Sequence, residues 1–141
     1  MAYEYFLKMD GLFGDSDDPR HFGEIKLISV TWGSDRGQTG GGAAGSGSPQ
    51  INELKVFKNH DRTSPILMQA SSEGRHFKEA RLTIEKRSLM GAMLISHVVD
   101  MRSIIVDSVL PRPGLDEITL SFGHIRFEKG AMQLLHGAQR I

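Results

Sequence analysis

Apolar side chains in this chain recur at every second position far more often than at every third or fourth, a spacing that predicts strands rather than helices. Tyr3, Tyr5, Leu7 and Met9 alternate with Glu4, Lys8 and Asp10, and Phe6 is the exception. Asp10-Gly11 and the polar run from Gly14 to Pro19 then end the strand. Between Glu24 and Trp32, Ile25 and Leu27 fall on one face, whereas Ile28, Val30 and Trp32 fall on the other. That switch of parity predicts a bulge, or a strand buried on both sides. Ile51 to Lys58 reads as a third strand with a looser pattern. Ala80, Leu82 and Ile84, set between Glu79, Arg81, Thr83 and Glu85, give the cleanest half-buried strand. Met90 to Asp100 and Met101 to Val109, rich in Val, Ile and Met, predict two central strands, and Pro111-Arg112-Pro113-Gly114 a turn. Ile118, Leu120 and Phe122 alternate up to Gly123, after which Ile125 and Phe127 take the opposite parity. Gly123 is therefore a second bulge candidate.

One short helix is expected at about 64–73. Thr63 or Ser64 can cap it, Pro65 suits its first turn, Gly74 can close it, and Ile66, Leu67 and Ala70 share a face. Seven or eight strands with a single helix predict an all-β (mainly β) barrel or sandwich. The length of 141 residues fits one domain, 1–141. Composition changes sharply at 33–49, where seven of the 17 residues from Gly33 to Pro49 are glycine and none is a large apolar residue. Such a segment cannot bury enough surface to fix itself, and loops this long in a small domain are usually functional or disordered.

Chemistry-bearing motifs are sparse. Gly40-Gly41-Gly42-Ala43-Ala44-Gly45 matches the dinucleotide-binding pattern of glycines, but Ser46-Gly47-Ser48-Pro49 follows where a helix would have to begin, so a chance match is the reading. The six histidines are scattered without metal-ligand spacing, and the acidic run Asp15 to Asp18 lacks the glycine and closing glutamate of a calcium loop. Trp32 is read as core rather than as a stacking platform. There is no cysteine, so disulfides and thiolate chemistry are excluded. No catalytic constellation, cofactor site or metal site is expected, and an enzyme is not. Seventeen basic and seventeen acidic side chains cancel, so no general field draws the chain to nucleic acid or anionic lipid. The charged start at Glu4 and Lys8 leaves no room for the apolar run of a signal peptide, and no stretch is long and apolar enough to insert in a membrane.

The ordered set of landmarks resembles the Hcp family, the haemolysin-coregulated tube proteins of bacterial type VI secretion systems. It comprises Phe6-Leu7-Lys8, Asp10-Gly11, Gly14-Asp15-Ser16, His21, Glu24-Ile25, Leu27, Ser29 and Trp32-Gly33. After the glycine loop it continues through Phe57, Asp61, Ser64-Pro65, Leu67, Ala70, Gly74, His76, Ala80 and Leu82-Thr83, and fades through Val106, Ser108, Leu120 and Phe122. The resemblance implies an Hcp-like β-barrel with one flanking helix and a long, extended Gly-rich loop. It also implies hexameric rings that stack into a tube inside a sheath, carry a spike or tip protein, and hold exported effectors in the lumen. The chain departs from the family's usual aromatic-containing tail over 128–141. Localisation would be the bacterial cytoplasm, followed by export without a signal peptide. The alternatives are an inner-tube protein of another contractile injection system or phage tail, or a monomeric ligand-binding barrel.

Two sets of candidate residues follow. Val30 and Trp32 point one way, so Ser29 and Thr31 point the other, the side expected to face the bore, and the resemblance implies that a hydroxyl at Thr31 faces the lumen and touches cargo. The loop carrying Gly33, Gly40, Gly41, Gly42, Gly45 and Gly47 is the expected contact between subunits or rings, because ordering it costs on the order of 1–2 kcal/mol per residue, which only repeated contacts would offset.

Overall fold

The computed structural model of the chain describes residues 3–33, 51–87 and 94–128. Along these run β1 (Tyr3–Met9), β2 (Ile25–Leu27), β3 (Ser29–Gly33), β4 (Glu53–Lys58), α1 (Ser64–Glu73), β5 (His76–Arg87), β6 (Leu94–Arg112) and β7 (Leu115–Phe127). All strand pairings are antiparallel, and the sheet order is β2-β1-β5-β6-β7-β4-β3. The two outermost strands, β2 and β3, are joined through the single residue Ile28. One stretch of chain thus pairs with β1 over Ile25–Leu27 and with β4 over Ser29–Gly33, curling the sheet into a nearly closed barrel. This explains the parity switch in the sequence. Leu27 is buried, Ile28 turns outward and is 48% exposed, and Val30 and Trp32 pack back onto the core. Trp32 meets Phe122 and Phe127 edge-on at 6.3 and 6.0 Å.

The inside of the barrel is filled by inward side chains of every strand, among them Leu54, Leu82 and Ile104, each wholly removed from solvent. Burying one such side chain is worth about 1.5–3 kcal/mol. Phe6, the exception in β1, lies on the outer face instead, where residues 10–24 cover it. There its ring stacks on His21 at 4.1 Å. His21 Nδ1 lies 3.1 Å from Glu24 Oε1, and Nε2 lies 2.8 Å from Oε2 of buried Glu85 on β5. Arg20 donates to the other oxygen of Glu85 at 2.9 Å, so the segment is strapped to the barrel wall by polar contacts. Gly14 has no alternative in that strap: a Cβ there would stand 2.5 Å from the Glu24 carbonyl oxygen.

Three expectations about this part of the sheet require correction. Met90–Asp100 and Met101–Val109 are not two strands; from Leu94 onward they are one, β6, which runs on to Arg112. Pro111 and Arg112 therefore belong to that strand, and the turn is Pro113-Gly114 alone, with Gly114 at φ +86°. Gly123 is not a bulge either, because Arg102↔His124 and Ile104↔Phe122 keep the same register on either side of it. The parity flip has another cause. Ser103 adopts φ 59° in β6, and the inward parity changes at the same level in the paired strands β5 and β7. The rows Phe77–Ile104–Phe122 and Ala80–Met101–Ile125 both face the core, while the residues between them face out. The register shift in this pair of strands lies between Val106 and Ser108.

Helix α1 spans 64–73 as expected, with Pro in its first turn and Gly74 at φ 67° closing it. Thr63 occupies the cap position without a capping side-chain bond. Leu67 and Ala70 are buried, but Ile66 is 40% exposed and does not share their face. The helix is held by a charged cluster beneath it. Lys58, completely buried, donates to Asp61 Oδ1 at 2.8 Å, Ser64 Oγ at 2.9 Å, Asp116 Oδ2 at 3.2 Å and the Asn59 carbonyl at 3.2 Å. Burial pushes the Asp116 carboxyl up, but hydrogen bonds from Ser64 and Lys58 with the charges of Lys58 and His60 outweigh it and hold the group below the usual carboxylate range. Asp61 is also held low; burial opposes this, and the Lys58 and Thr63 hydrogen bonds prevail.

Candidate functional site

β3 ends the sheet and hydrogen-bonds to β4 alone. Its sequence, Ser29-Val30-Thr31-Trp32-Gly33, contains no charge and no proline, the usual devices that blunt an open edge. Its inward side carries Val30 and Trp32; its outward side carries Ser29, half-buried, and Thr31, exposed. Ser29 and Thr31 thus lie on the face opposite Val30 and Trp32. Gly33 is the last residue of the strand, opposite Glu53. Gly40, Gly41, Gly42, Gly45 and Gly47 lie outside the described residues. The ends of the segment that holds them are nonetheless pinned together, since Gly33 and Glu53 are cross-strand partners.

The wall beside Thr31 continues outward across the sheet. Thr31 faces Lys55, which faces Thr119, and Ser29 faces Phe57, which faces Glu117. Lys55 Nζ stands 3.3 Å from Glu117 Oε2, and Arg112 Nε donates to Oε1 at 2.8 Å. The Arg112 and Lys55 contacts hold the Glu117 carboxyl below the ordinary range. Ser121 Oγ donates to Asp107 Oδ2 at 2.5 Å. The face is therefore a band of hydroxyls and mutually neutralised ion pairs. It offers hydrogen bonds around the half-buried ring of Phe57, and among the described residues its groups do not converge on a reacting centre.

Sequence reading did not single out the Lys58–Asp116 pair or the His21–Glu85 strap. The signal for the first was present: Lys58 is in phase with inward Leu54 and Val56, and Asp116 with Ile118 and Leu120. A lysine at an inward position across from an aspartate at another, Lys58↔Asp116, marks a buried pair. The strap spans 64 residues of sequence and leaves no local signature.

Comparison with known proteins agrees with this geometry. A curated relative, Protein hcp1 of Pseudomonas aeruginosa, is 28% identical over 137 residues, covering 91% of this chain and 83% of the relative. The crystal structure of Hcp1 from Salmonella typhimurium superposes with TM-score 0.70 at 28% identity, over 89% of this chain and 85% of that one. Hcp2 from the same organism gives 0.68 at 26% identity, over 88% and 84%. The profile of the family described as "Type VI secretion system effector, Hcp" matches residues 6–128. The chain belongs to the Hcp family of type VI secretion proteins.

Proposed function

We propose that this chain is a structural subunit of the inner tube of a type VI secretion machine, assembling into six-membered rings that stack. The observation that carries the reading is the open, uncharged edge of β3 beside a polar outer wall. An edge of that kind invites pairing with a further strand, and a ring of identical copies gives each subunit one such neighbour. The ring number comes from family resemblance. In this reading the chain is made in the bacterial cytoplasm and is exported by the secretion machine itself, together with a tip protein, within a sheath, and with effectors in the lumen. The function is mechanical and adhesive rather than catalytic. Ser29 and Thr31 contact cargo, and the 33–49 segment orders itself on a neighbouring copy.

Solution mass measurement combined with negative-stain imaging tests the reading. Rings of about six copies are expected; a clean monomer at high concentration overturns it and favours a ligand-binding barrel. Within assembled rings, Thr31→Gln is expected to lower effector retention, and replacing the 33–49 segment by a short turn is expected to weaken contact between copies. Unchanged retention refutes the lumen role of Thr31. Unchanged assembly refutes the role of the loop.

A further inference from the structure

Around Ser103, where β6 kinks and β5 and β7 change parity with it, the outer face forms a hollow of about 1100 Å³. Five cationic side chains line it: Lys8, Lys78, Arg81, Arg102 and Arg126. Three carboxylates, Asp10, Glu79 and Asp100, share the lining. Asp100 is occupied by Arg81 at 2.8 Å and stands 4.0 Å from Arg126. Among the described residues, Lys8, Lys78 and Arg102 make no ion pair. The chain as a whole carries no net charge, so this excess is local and has its counterpart elsewhere.

The counterpart is the strapped segment 10–24. Gly14 and Ser16 donate their backbone N–H groups to Gly23 and Glu24, and Gly23 donates back to Ser16, so the turn is braced like a short ladder. Ser16 is buried, while Asp15 and Asp17 on either side of it project into solvent. Asp15 meets only the exposed Arg62, and Asp17 makes no ion pair among the described residues. Beside these carboxylates stand Phe13 and Phe22, 52% and 69% exposed and in edge contact with each other at 5.7 Å. Exposed aromatic rings flanked by charge, on a backbone already held in place, are the composition of an interface rather than of a solvent-facing turn.

We infer that the 13–22 turn of one copy docks in the kink hollow of the next, Asp15 and Asp17 meeting Lys78, Arg102 and Lys8, with Phe13 and Phe22 sealing the contact. The two surfaces share no residue, so the contact is heterologous: each copy presents a knob to one neighbour and a hollow to another. The inference rests on the reading that copies assemble, and names which faces meet.

A charge-swap experiment tests it. One variant carries Lys78→Glu and Arg102→Glu; the other carries Asp15→Lys and Asp17→Lys. Each alone juxtaposes like charges and is expected to lose assembly mass at a concentration where the unmodified protein assembles. Mixed in equal amounts they are expected to restore it, because knobs and hollows are then complementary in alternation. Recovery in the mixture also shows that both variants are folded. Should either reversal fail to fold by its melting curve, Phe22→Ala replaces it. That ring is mostly solvated, and its loss is expected to raise the concentration for half-assembly about tenfold. If the unmodified protein stays monomeric, the assembly reading itself fails. If it assembles and the reversed variants, or Phe22→Ala, assemble equally well, only the knob-and-hollow contact is overturned. Separate failure without recovery on mixing overturns it too.

Discussion

Lys58→Met is expected to be among the most damaging single substitutions outside the apolar core. The ammonium is fully buried and has four oxygens within 3.2 Å, more than its three protons can serve at once. Methionine nearly conserves the volume, so the cavity cost is small and the effect is electrostatic. Asp116, 2% exposed, loses its buried counter-charge. Removing one partner of a buried pair typically costs about 3–5 kcal/mol. Asp116 retains its bonds to Ser64 and to the half-exposed His60, which places the loss near the lower end, about 3 kcal/mol. In a domain whose total stability is on the order of 5–15 kcal/mol, that lowers Tm by roughly 10 °C. Denaturant unfolding at fixed protein concentration measures it, alongside Asp116→Leu and the double variant. The double variant is expected to recover most of the loss, since an apolar replacement of a whole buried pair is often neutral. A single-variant loss below about 1 kcal/mol, or a double variant as unstable as the single, refutes the assignment of the cluster as a charge-compensated unit.

Three further outcomes follow from the same geometry. Asp61 and Asp116 are held below the usual carboxylate range in the folded state, so their contribution is complete above about pH 4 and is lost as pH falls through those lowered values. Unfolding free energy followed from about pH 5 down to about pH 2 should fall accordingly, and less steeply in Asp116→Asn. Ser103→Gly should stabilise the fold by about 0.5–1 kcal/mol, because a left-handed conformation costs an ordinary residue about 1–2 kcal/mol and glycine returns part of that as chain entropy; a melting curve decides it. Gly14→Ala should loosen the strap at a cost of about 1–3 kcal/mol, since the clash is with backbone that has nowhere to go. Faster tryptic cleavage after Arg20 is the readout.

Much of this architecture is legible in the sequence because a strand announces its two faces by alternation. The opposition of Ser29 and Thr31 to Val30 and Trp32 and the 64–73 helix follow from counting by twos and from turn chemistry; Ile28 does not, because it turns outward instead of sharing the face of Val30 and Trp32. Periodicity failed where a backbone torsion, not a side chain, changed the phase. Ser103 looks like any strand serine, so Met90–Val109 reads as two elements and the kink is assigned to Gly123, the only residue nearby with an evident reason to bend. Partnerships across long separations were equally silent. His21 has no local cue to Glu85, and the acidic turn at Asp15 reads as plain solvated loop until the structure shows how firmly it is braced. The described residues do not include 34–50, where the glycine composition was most suggestive.

Because β2 and β3 are one continuous run of chain bent at Ile28, the barrel closes along a line that carries no ladder of its own. Ile28 itself donates its backbone N–H to the Phe57 carbonyl at 2.6 Å, so the bend is tied to β4 as well as to the chain on either side. The barrel is thus closed by covalent chain at this point, and opening it there means stripping a ladder from β1 or from β4.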